Sequence, residues 1–301
     1  MKGDIISSEK SVQTFRRVNM VRIITDSAAD FEPQELEKYD ITCVPMQISF
    51  DNNEYKENEN LTKEQFYELL ENCENFPKTS QPTPYDFEVL LEEFMENDDE
   101  CIIITISSAL SGTYQNAILV KNMLNYENCY VVDSLNATAG QRLLVDYAVK
   151  LRNEGKSAKE IFDALKIVKT KIKLYACVDT LEYLHKGGRL SKTAYTVGTL
   201  ANIKPVIRIS EEGKVEVSSK AMSMKSGIST VSKKLQTYTP DLDYPIYIVY
   251  SNNRKNGDLL AEAVEKSGFE ILPENIINIG ATIGAHVGSD ACGVVYVAEN
   301  Q

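Results

Sequence analysis

The sequence has little of what most metal and nucleotide sites are built from. Its 301 residues include only two histidines, His185 and His286, and its six cysteines form no C-x-x-C pair. A zinc site is therefore not expected, and we expect the scattered cysteines to be reduced core residues. Neither G-x-G-x-x-G after the first strand nor G-x-x-x-x-G-K-[ST] occurs, so no nucleotide cofactor is predicted.

Positive charge and long apolar runs are also scarce. The chain has 32 Lys and Arg against 44 Asp and Glu, and its net charge of −12 repels nucleic acid and anionic lipid surfaces. No apolar run approaches the roughly 20 residues that cross a bilayer, and the first residues lack the apolar core of a secretory signal. We therefore expect a cytoplasmic protein without stable membrane insertion.

What the chain does have is a regular alternation of strand-like and helix-like segments. The pattern predicts an α/β fold of two domains: an N-terminal parallel sheet with helices on both faces (three layers), and a C-terminal two-layer α/β domain with a mixed sheet. We place the domains at residues 20–170 and 171–301, and expect residues 1–19 to be a disordered extension. Strands are predicted at 21–25, 41–50, 101–106, 130–132, 174–178, 204–209, 246–250, 276–279 and 293–298. Helices are predicted at 33–38, 62–71, 85–95, 115–124, 142–152, 158–170 and 259–266. The acidic stretches 54–60 and 92–100 are predicted to be solvated.

The segment 109–114, Ala-Leu-Ser-Gly-Thr-Tyr, joins the buried strand 101–106 to a helix. At such a junction the free backbone N–H groups and the positive end of the helix dipole face the crevice at the carboxyl edge of the sheet. Four hydroxyls are added there by Ser107, Ser108, Ser111 and Thr113. Any one serine could simply cap the helix. The cluster as a whole predicts an anion pocket.

Three further segments offer polar groups. Residues 78–84 place hydroxyls and an amide before and between prolines, and these prolines favour an extended backbone. The same pattern is equally typical of a plain turn. Residues 283–288 surround His286 with small residues in what we interpret as a polar turn. Asp26 and Ser27 end the first strand at the same edge of the sheet. The simpler alternative is that one of them caps the next turn and binds no ligand.

Six short segments, some of them described above, occur in an order that resembles the DegV family of fatty-acid-binding proteins. They are 26–30 (DSAAD), 78–82 (KTSQP), 107–114 (SSALSGTY), 132–134 (VDS), 185–189 (HKGGR) and 286–288 (HVG). The resemblance runs from Val21 to the C-terminus. It implies one long-chain fatty acid bound in a tunnel between the two domains, as the ligand of a carrier that has no catalytic residues and no cofactor. It further implies that the carboxylate is presented to the ATP-binding subunit of a fatty acid kinase, which makes the acyl phosphate.

Carried over residue by residue, the resemblance assigns the fatty acid carboxylate to Thr79, Ser111 and His286. Because a carboxylate only accepts hydrogen bonds, two hydroxyls and an imidazole N–H complement it. The same motifs add Ser80, Gly112 and Thr113 to the expected ligand-binding set.

The resemblance also implies a surface that meets the kinase. It assigns Arg189 and Lys186 to that surface. Kinase-linked members carry a second arginine in a Lys/Asn-Ala-Arg pattern after the 211–214 hairpin, where this chain has Met222. Coupling to such a kinase is therefore expected to be weak or altered, because a thioether cannot replace the bidentate grip of a guanidinium.

A serine hydrolase acting on an acyl ester is the alternative that the residues leave open. It would use Ser111 and His286 with Asp133 or Asp26 as the orienting acid. The nucleophile-elbow pattern G-x-S-x-G is missing around Ser111, which counts against this alternative.

Overall fold

The computed structural model describes residues 20–51, 53–198 and 203–299, so the predicted extension 1–19 lies outside the described residues. The strands are β1 Val21–Asp26, β2 Ile41–Val44, β3 Gln47–Phe50, β4 Asn53–Lys56, β5 Lys78–Ser80, β6 Glu100–Thr105, β7 Cys129–Asp133, β8 Ile172–Cys177, β9 Lys204–Ile209, β10 Val215–Ala221, β11 Tyr247–Tyr250, β12 Ile276–Asn278 and β13 Cys292–Val297. The helices are α1 Pro33–Lys38, α2 Lys63–Asn72, α3 Pro84–Glu96, α4 Thr113–Met123, α5 Ala139–Asn153, α6 Ala158–Val168, α7 Glu182–Lys186, α8 Lys192–Gly198, α9 Met224–Ser232, α10 Lys234–Thr237, α11 Arg254–Glu265 and α12 Ala281–Val287.

Several helices begin where a hydroxyl side chain can satisfy their first backbone N–H groups. α2, α3, α6 and α9 each start after a Thr or Ser whose side chain accepts a hydrogen bond from the backbone N–H three residues on. In each case the residue at that third position returns a bond to the cap, which fixes the start of the helix from local sequence alone.

The N-terminal sheet is parallel, with strand order β2-β1-β6-β7. Successive residues of its strands enter different cores, because side chains alternate between the two faces. Ile23 packs in a core with α5 and α6, whereas Ile24 packs in a core with α3 and α4. The predicted parallel sheet with helices on both faces is confirmed.

The C-terminal sheet is mixed, with strand order β10-β9-β8-β13-β11-β12. Its neighbouring strands are antiparallel except for the pair β11 and β12. One face packs against α9 and α11 through residues such as Ile228 and Leu260. The other face shares a core with α5 and the parallel sheet, so the two sheets enclose the middle of the molecule between them. The predicted mixed sheet is confirmed.

A third sheet, antiparallel with order β4-β3-β5, was not predicted. The single strand predicted at 41–50 is wrong, since the chain leaves the parallel sheet after Val44 and enters this small sheet at Gln47. Pro45 lies at the break, where it has no backbone N–H to offer either sheet.

The prediction that residues 54–60 are solvated is also wrong in part. Asn53–Lys56 form β4, and Glu57 is 2% exposed. Its carboxylate accepts a 2.5 Å hydrogen bond from the hydroxyl of Thr282, which compensates its burial.

The short helices α7, α8, α9, α10 and α12 were not predicted either, because few of them are long enough to show a helical period. The division of the chain at residues 170 and 171 stays a prediction. In the part of the chain that the structure describes, no helix is both long enough and apolar enough to cross a membrane.

Candidate functional site

A pocket lies between the parallel sheet and the mixed sheet, and the space inside it, including the part open to solvent, is about 840 Å³. Both sheets and α12 contribute to its wall, which is mostly apolar, with Ile106, Leu174, Ile207, Val249 and Ile283 among the lining residues. An apolar chain buried in such a pocket gains about 0.8 kcal/mol for each methylene removed from water. The pocket therefore suits a ligand with a long hydrocarbon part.

Polar side chains also line this pocket. Thr79 comes from β5, Ser111 from the turn before α4, Arg189 from the turn after α7 and His286 from α12. The three residues assigned to a carboxylate by resemblance are thus brought to one cavity. Their contact with a ligand stays a prediction.

His286 is part of helix α12, so the predicted polar turn is wrong. The small residues before it serve close packing: a Cβ on Gly284 would lie 2.6 Å from the ring of Phe66. The Nε2 atom of His286 lies 2.8 Å from the hydroxyl oxygen of Thr79. Burial, together with the charge of Arg189, lowers the pKa of His286 to about 3, so the ring is neutral near pH 7 and carries a single N–H.

Ser111 lies directly before the N-terminus of α4. Gly112 is the N-cap of this helix and has no side chain to cap it, and the backbone N–H of Thr113 makes only a long 3.4 Å bond to the hydroxyl of Ser111, so the N-terminus of α4 can still favour an anion. The hydroxyls of Ser111 and Thr113 lie 2.8 Å apart, and Thr113 also contacts the sulfur of Met46. Thr113 therefore orients Ser111, whereas the pocket wall in the described part of the chain includes neither Gly112 nor Thr113.

Arg189 brings a positive charge to the pocket without a carboxylate partner among the described residues. Its Nε donates to the carbonyl of Leu110 at 2.9 Å, and its Nη1 donates to the carbonyl of Gly187 at 2.6 Å. These bonds fix the guanidinium but leave its charge uncompensated. Burial accordingly lowers the pKa of Arg189. An anion at the polar end of the pocket would relieve this cost.

The remaining predicted residues are spread over the surface. Ser80 borders the pocket, but its side chain is exposed because it alternates with Thr79 along β5. Lys186 forms an ion pair with Glu182 at 3.0 Å. Met222 is 77% exposed after the end of β10 and does not line the pocket.

The hydrolase alternative requires an acid on His286, and neither candidate acid holds that position. Asp26 accepts hydrogen bonds from the backbone N–H groups of Ala28 and Ile106, and Asp133 accepts from those of Ser108 and Leu135. The Nδ1 atom of His286 has no hydrogen-bond partner among the described residues. The triad is therefore not formed.

Two features of the site were missed at the sequence level. Gln81 lines the pocket and packs its side-chain amide over Gly112, although we had considered residues 78–84 only as a source of polar groups in general. Ile279 and Ile283 line it from the α12 region. Ile279 lies before α12 begins, and this helix has only seven residues, so the small residues around Ile283 show no helical period.

Comparison with known proteins places this geometry in a family. A family model described as "Uncharacterised protein, DegV family" matches residues 20–299. A DegV domain-containing protein of Clostridium acetobutylicum is 32% identical over 280 residues, which cover 92% of this chain and 98% of that protein.

Solved structures show the same fold. A DegV family protein from Thermus thermophilus, described for its fatty acid binding, superposes with a TM-score of 0.84 at 27% identity, over 93% of this chain and 100% of that one. A stearic-acid-binding protein from Eubacterium ventriosum superposes with a TM-score of 0.83 at 26% identity, over 93% of this chain and 98% of that one. With a family match over nearly its whole length and the same fold as these proteins, this chain belongs to the DegV family.

Proposed function

We propose that this protein binds one long-chain fatty acid in the pocket between its two sheets. The observation that carries the proposal is a mostly apolar cavity whose polar residues include two hydroxyls, a guanidinium and a neutral imidazole. A fatty acid has the same division between a long apolar chain and one anionic head. The fatty acid binding described for the relatives from Thermus thermophilus and Eubacterium ventriosum supports it.

In this proposal the carboxylate lies at Thr79, Ser111 and His286, close to the N-terminus of α4. The hydroxyls of Thr79 and Ser111 each have a hydrogen to donate, the single N–H of His286 can hold Thr79 in place, and Arg189 adds a positive charge on the same wall. The pair formed by Thr79 and His286 is compatible with this role, because Thr79 can accept from the ring and donate its own hydrogen to the carboxylate.

We further propose that the chain is a cytoplasmic carrier without turnover of its own. It presents the carboxylate to a separate ATP-binding kinase subunit, where the acyl phosphate forms. This part rests on the family resemblance and on the Arg189 turn, whose guanidinium lies beside the polar end of the pocket. Acyl phosphate formed from ATP by this chain alone, or turnover of a chromogenic ester, would contradict it.

The carboxylate placement predicts the effect of removing one hydroxyl. Ser111→Ala should weaken fatty acid binding about ten- to a hundredfold, because a hydrogen bond to a charged group is worth about 1.5–3 kcal/mol. Titration of delipidated protein with a fluorescent long-chain fatty acid measures this. Ser108→Ala removes a serine of the same turn that does not line the pocket, and serves as the matched control. Unchanged binding in both Ser111→Ala and His286→Ala would rule out the placement.

A further inference from the structure

A second, polar hollow adjoins the fatty acid pocket. The two cavities share Thr79, Arg189 and His286, so these side chains form a partition between them. The hollow is otherwise bordered by residues of the β3 end, of the segment before β5 and of the α7 end: Ser49, Asp51, Asn75, Phe76, Pro77, Lys78, Lys186 and Gly187. A ligand in this hollow would therefore lie directly next to the proposed position of the fatty acid carboxylate.

His286 has unused hydrogen-bonding capacity on this partition. The residue is 9% exposed, its Nε2 contacts Thr79, and its Nδ1 is buried without a hydrogen-bond partner among the described residues. Nδ1 lies against Gly187, since a Cβ there would be only 2.2 Å from it. Because Gly187 borders the hollow, the unpartnered nitrogen lies on the side of the ring that faces it.

Cations outnumber anions around the hollow, in a chain whose net charge is −12. Lys78, Lys186 and Arg189 line it, against the carboxylate of Asp51 in the same lining and that of Glu182, which pairs with Lys186 at 3.0 Å. The Asp51 carboxylate accepts a 2.6 Å hydrogen bond from the side-chain amide of Asn75. Among these described groups the cations exceed the carboxylates by one.

Lys186 is held at the rim by two contacts. Its Nζ lies 4.0 Å from the centroid of the Phe76 ring and 3.0 Å from a carboxylate oxygen of Glu182. The Phe76 ring in turn packs on Tyr183 at 4.8 Å. These contacts order the lysine before any ligand arrives, which lowers the entropy cost of using it.

We propose that this hollow binds the phosphoryl group of an acyl phosphate whose acyl chain occupies the fatty acid pocket, with Lys78 and Lys186 as its ligands. A phosphoryl group carries more negative charge than a carboxylate and has three acceptor oxygens. Lysine suits such a group as a point charge. Joined to the carboxyl group at the partition, it would extend into the hollow and meet both lysines. The inference rests on the proposed function and adds to it a place for the product head group.

The test compares two ligands that share a chain and differ in the head. Delipidated protein is titrated with a long-chain fatty acid and with the matching acyl methylphosphonate (called the acyl phosphonate here), in which a methylene replaces the bridging oxygen of the acyl phosphate and prevents hydrolysis. The variants are Lys78→Gln and Lys186→Met, which keeps an apolar stem on Phe76. Lys225→Gln is the matched control, because Lys225 is exposed and lines neither cavity.

We expect each lysine variant to weaken acyl phosphonate binding by about five- to fiftyfold and to change fatty acid binding by less than about twofold. Equal losses for both ligands, or no loss for either, would overturn the inference while leaving the proposed function intact. Inorganic phosphate is also titrated into fatty-acid-loaded protein. If it binds as tightly as the acyl phosphonate does, the hollow is a site for a free anion, and the inference is overturned. A wild-type protein that binds neither lipid would overturn the proposed function itself.

Discussion

At the scale of single residues, Arg189 and His286 give the polar end of the pocket one partly buried cation and one neutral ring. The guanidinium keeps its charge, whereas the pKa of the imidazole is lowered to about 3 and the ring stays neutral. A neutral ring donates a hydrogen bond without adding a second buried cation. One anion in the pocket would therefore face one cation rather than two.

Met222 stands where the resemblance to kinase-linked members of the family predicts an arginine. It is 77% exposed, so its replacement should not disturb the fold. We predict that Met222→Arg increases acyl phosphate formation with a bacterial fatty acid kinase subunit and leaves fatty acid binding unchanged. Met222→Lys should restore less, because lysine lacks the planar fork.

The measurement is acyl phosphate formed per unit time with saturating fatty acid and ATP, with Arg189→Ala as a reference for lost coupling. Full activity of the wild type, with nothing added by Met222→Arg, would show that this position does not contribute to coupling.

At the scale of elements, helix α12 is held by acids from the N-terminal half of the chain. Glu57 accepts hydrogen bonds from the backbone N–H and the hydroxyl of Thr282. Asp30 accepts a 2.8 Å hydrogen bond from the backbone N–H of Gly280, directly before the helix. The same helix carries His286 and Ile283 into the pocket wall, so these acids position the binding site.

The anchor at Asp30 predicts a pH dependence. Burial raises the pKa of Asp30 to about 7, against the opposing charge of Lys63. The folded state therefore holds a proton that the unfolded state, with a pKa of about 3.9, has already released. This contribution to stability is complete below about pH 4 and is lost as the pH rises through 7, by up to about 4 kcal/mol.

Asp30→Asn keeps the acceptor oxygen and suits the left-handed backbone at φ 60°, but it does not titrate. Its unfolding free energy relative to wild type should therefore rise between pH 5 and pH 8 in urea titrations. Asp98→Asn, at φ 57° on the surface, is the matched control for replacing Asp by Asn at a left-handed position. A constant difference for Asp30→Asn would contradict the buried-anchor account.

The elements that the sequence predicted are those with a long period or a strong local signal. The run 101–106 is uniformly apolar, and the helix after Thr83 begins with proline and a capping box, so both could be predicted without tertiary information. The third sheet, β3 with β4 and β5, depends on pairing between distant short segments and leaves no such trace.

The candidate site likewise has parts that could be predicted from the sequence and parts that could not. The motifs around Thr79, Ser111 and His286 could be recognised in the sequence, and the structure brings all three to one cavity. The apolar wall could not be predicted, because it is assembled from the facing sides of two sheets. The helical setting of His286 was also missed, since Gly284 and Ala285 look like a turn until their packing against Phe66 is known.

At the scale of the whole molecule, the two sheets enclose the pocket from opposite sides. Ile106 reaches it from the parallel half of the chain, and Leu174, Ile207 and Val249 reach it from the mixed sheet. The hairpin between β9 and β10 is tied across by a 2.9 Å hydrogen bond from the Ser107 hydroxyl to the carbonyl of Gly213. A ligand between the sheets would contact both and stabilise the folded chain by its binding free energy.

The most direct test of the central claim is native mass spectrometry of the purified protein, followed by extraction of any bound lipid. The account predicts one long-chain fatty acid per chain, either co-purified or taken up stoichiometrically after delipidation, and reduced retention in Ser111→Ala. A chain that carries no lipid and takes up no long-chain fatty acid would contradict the account.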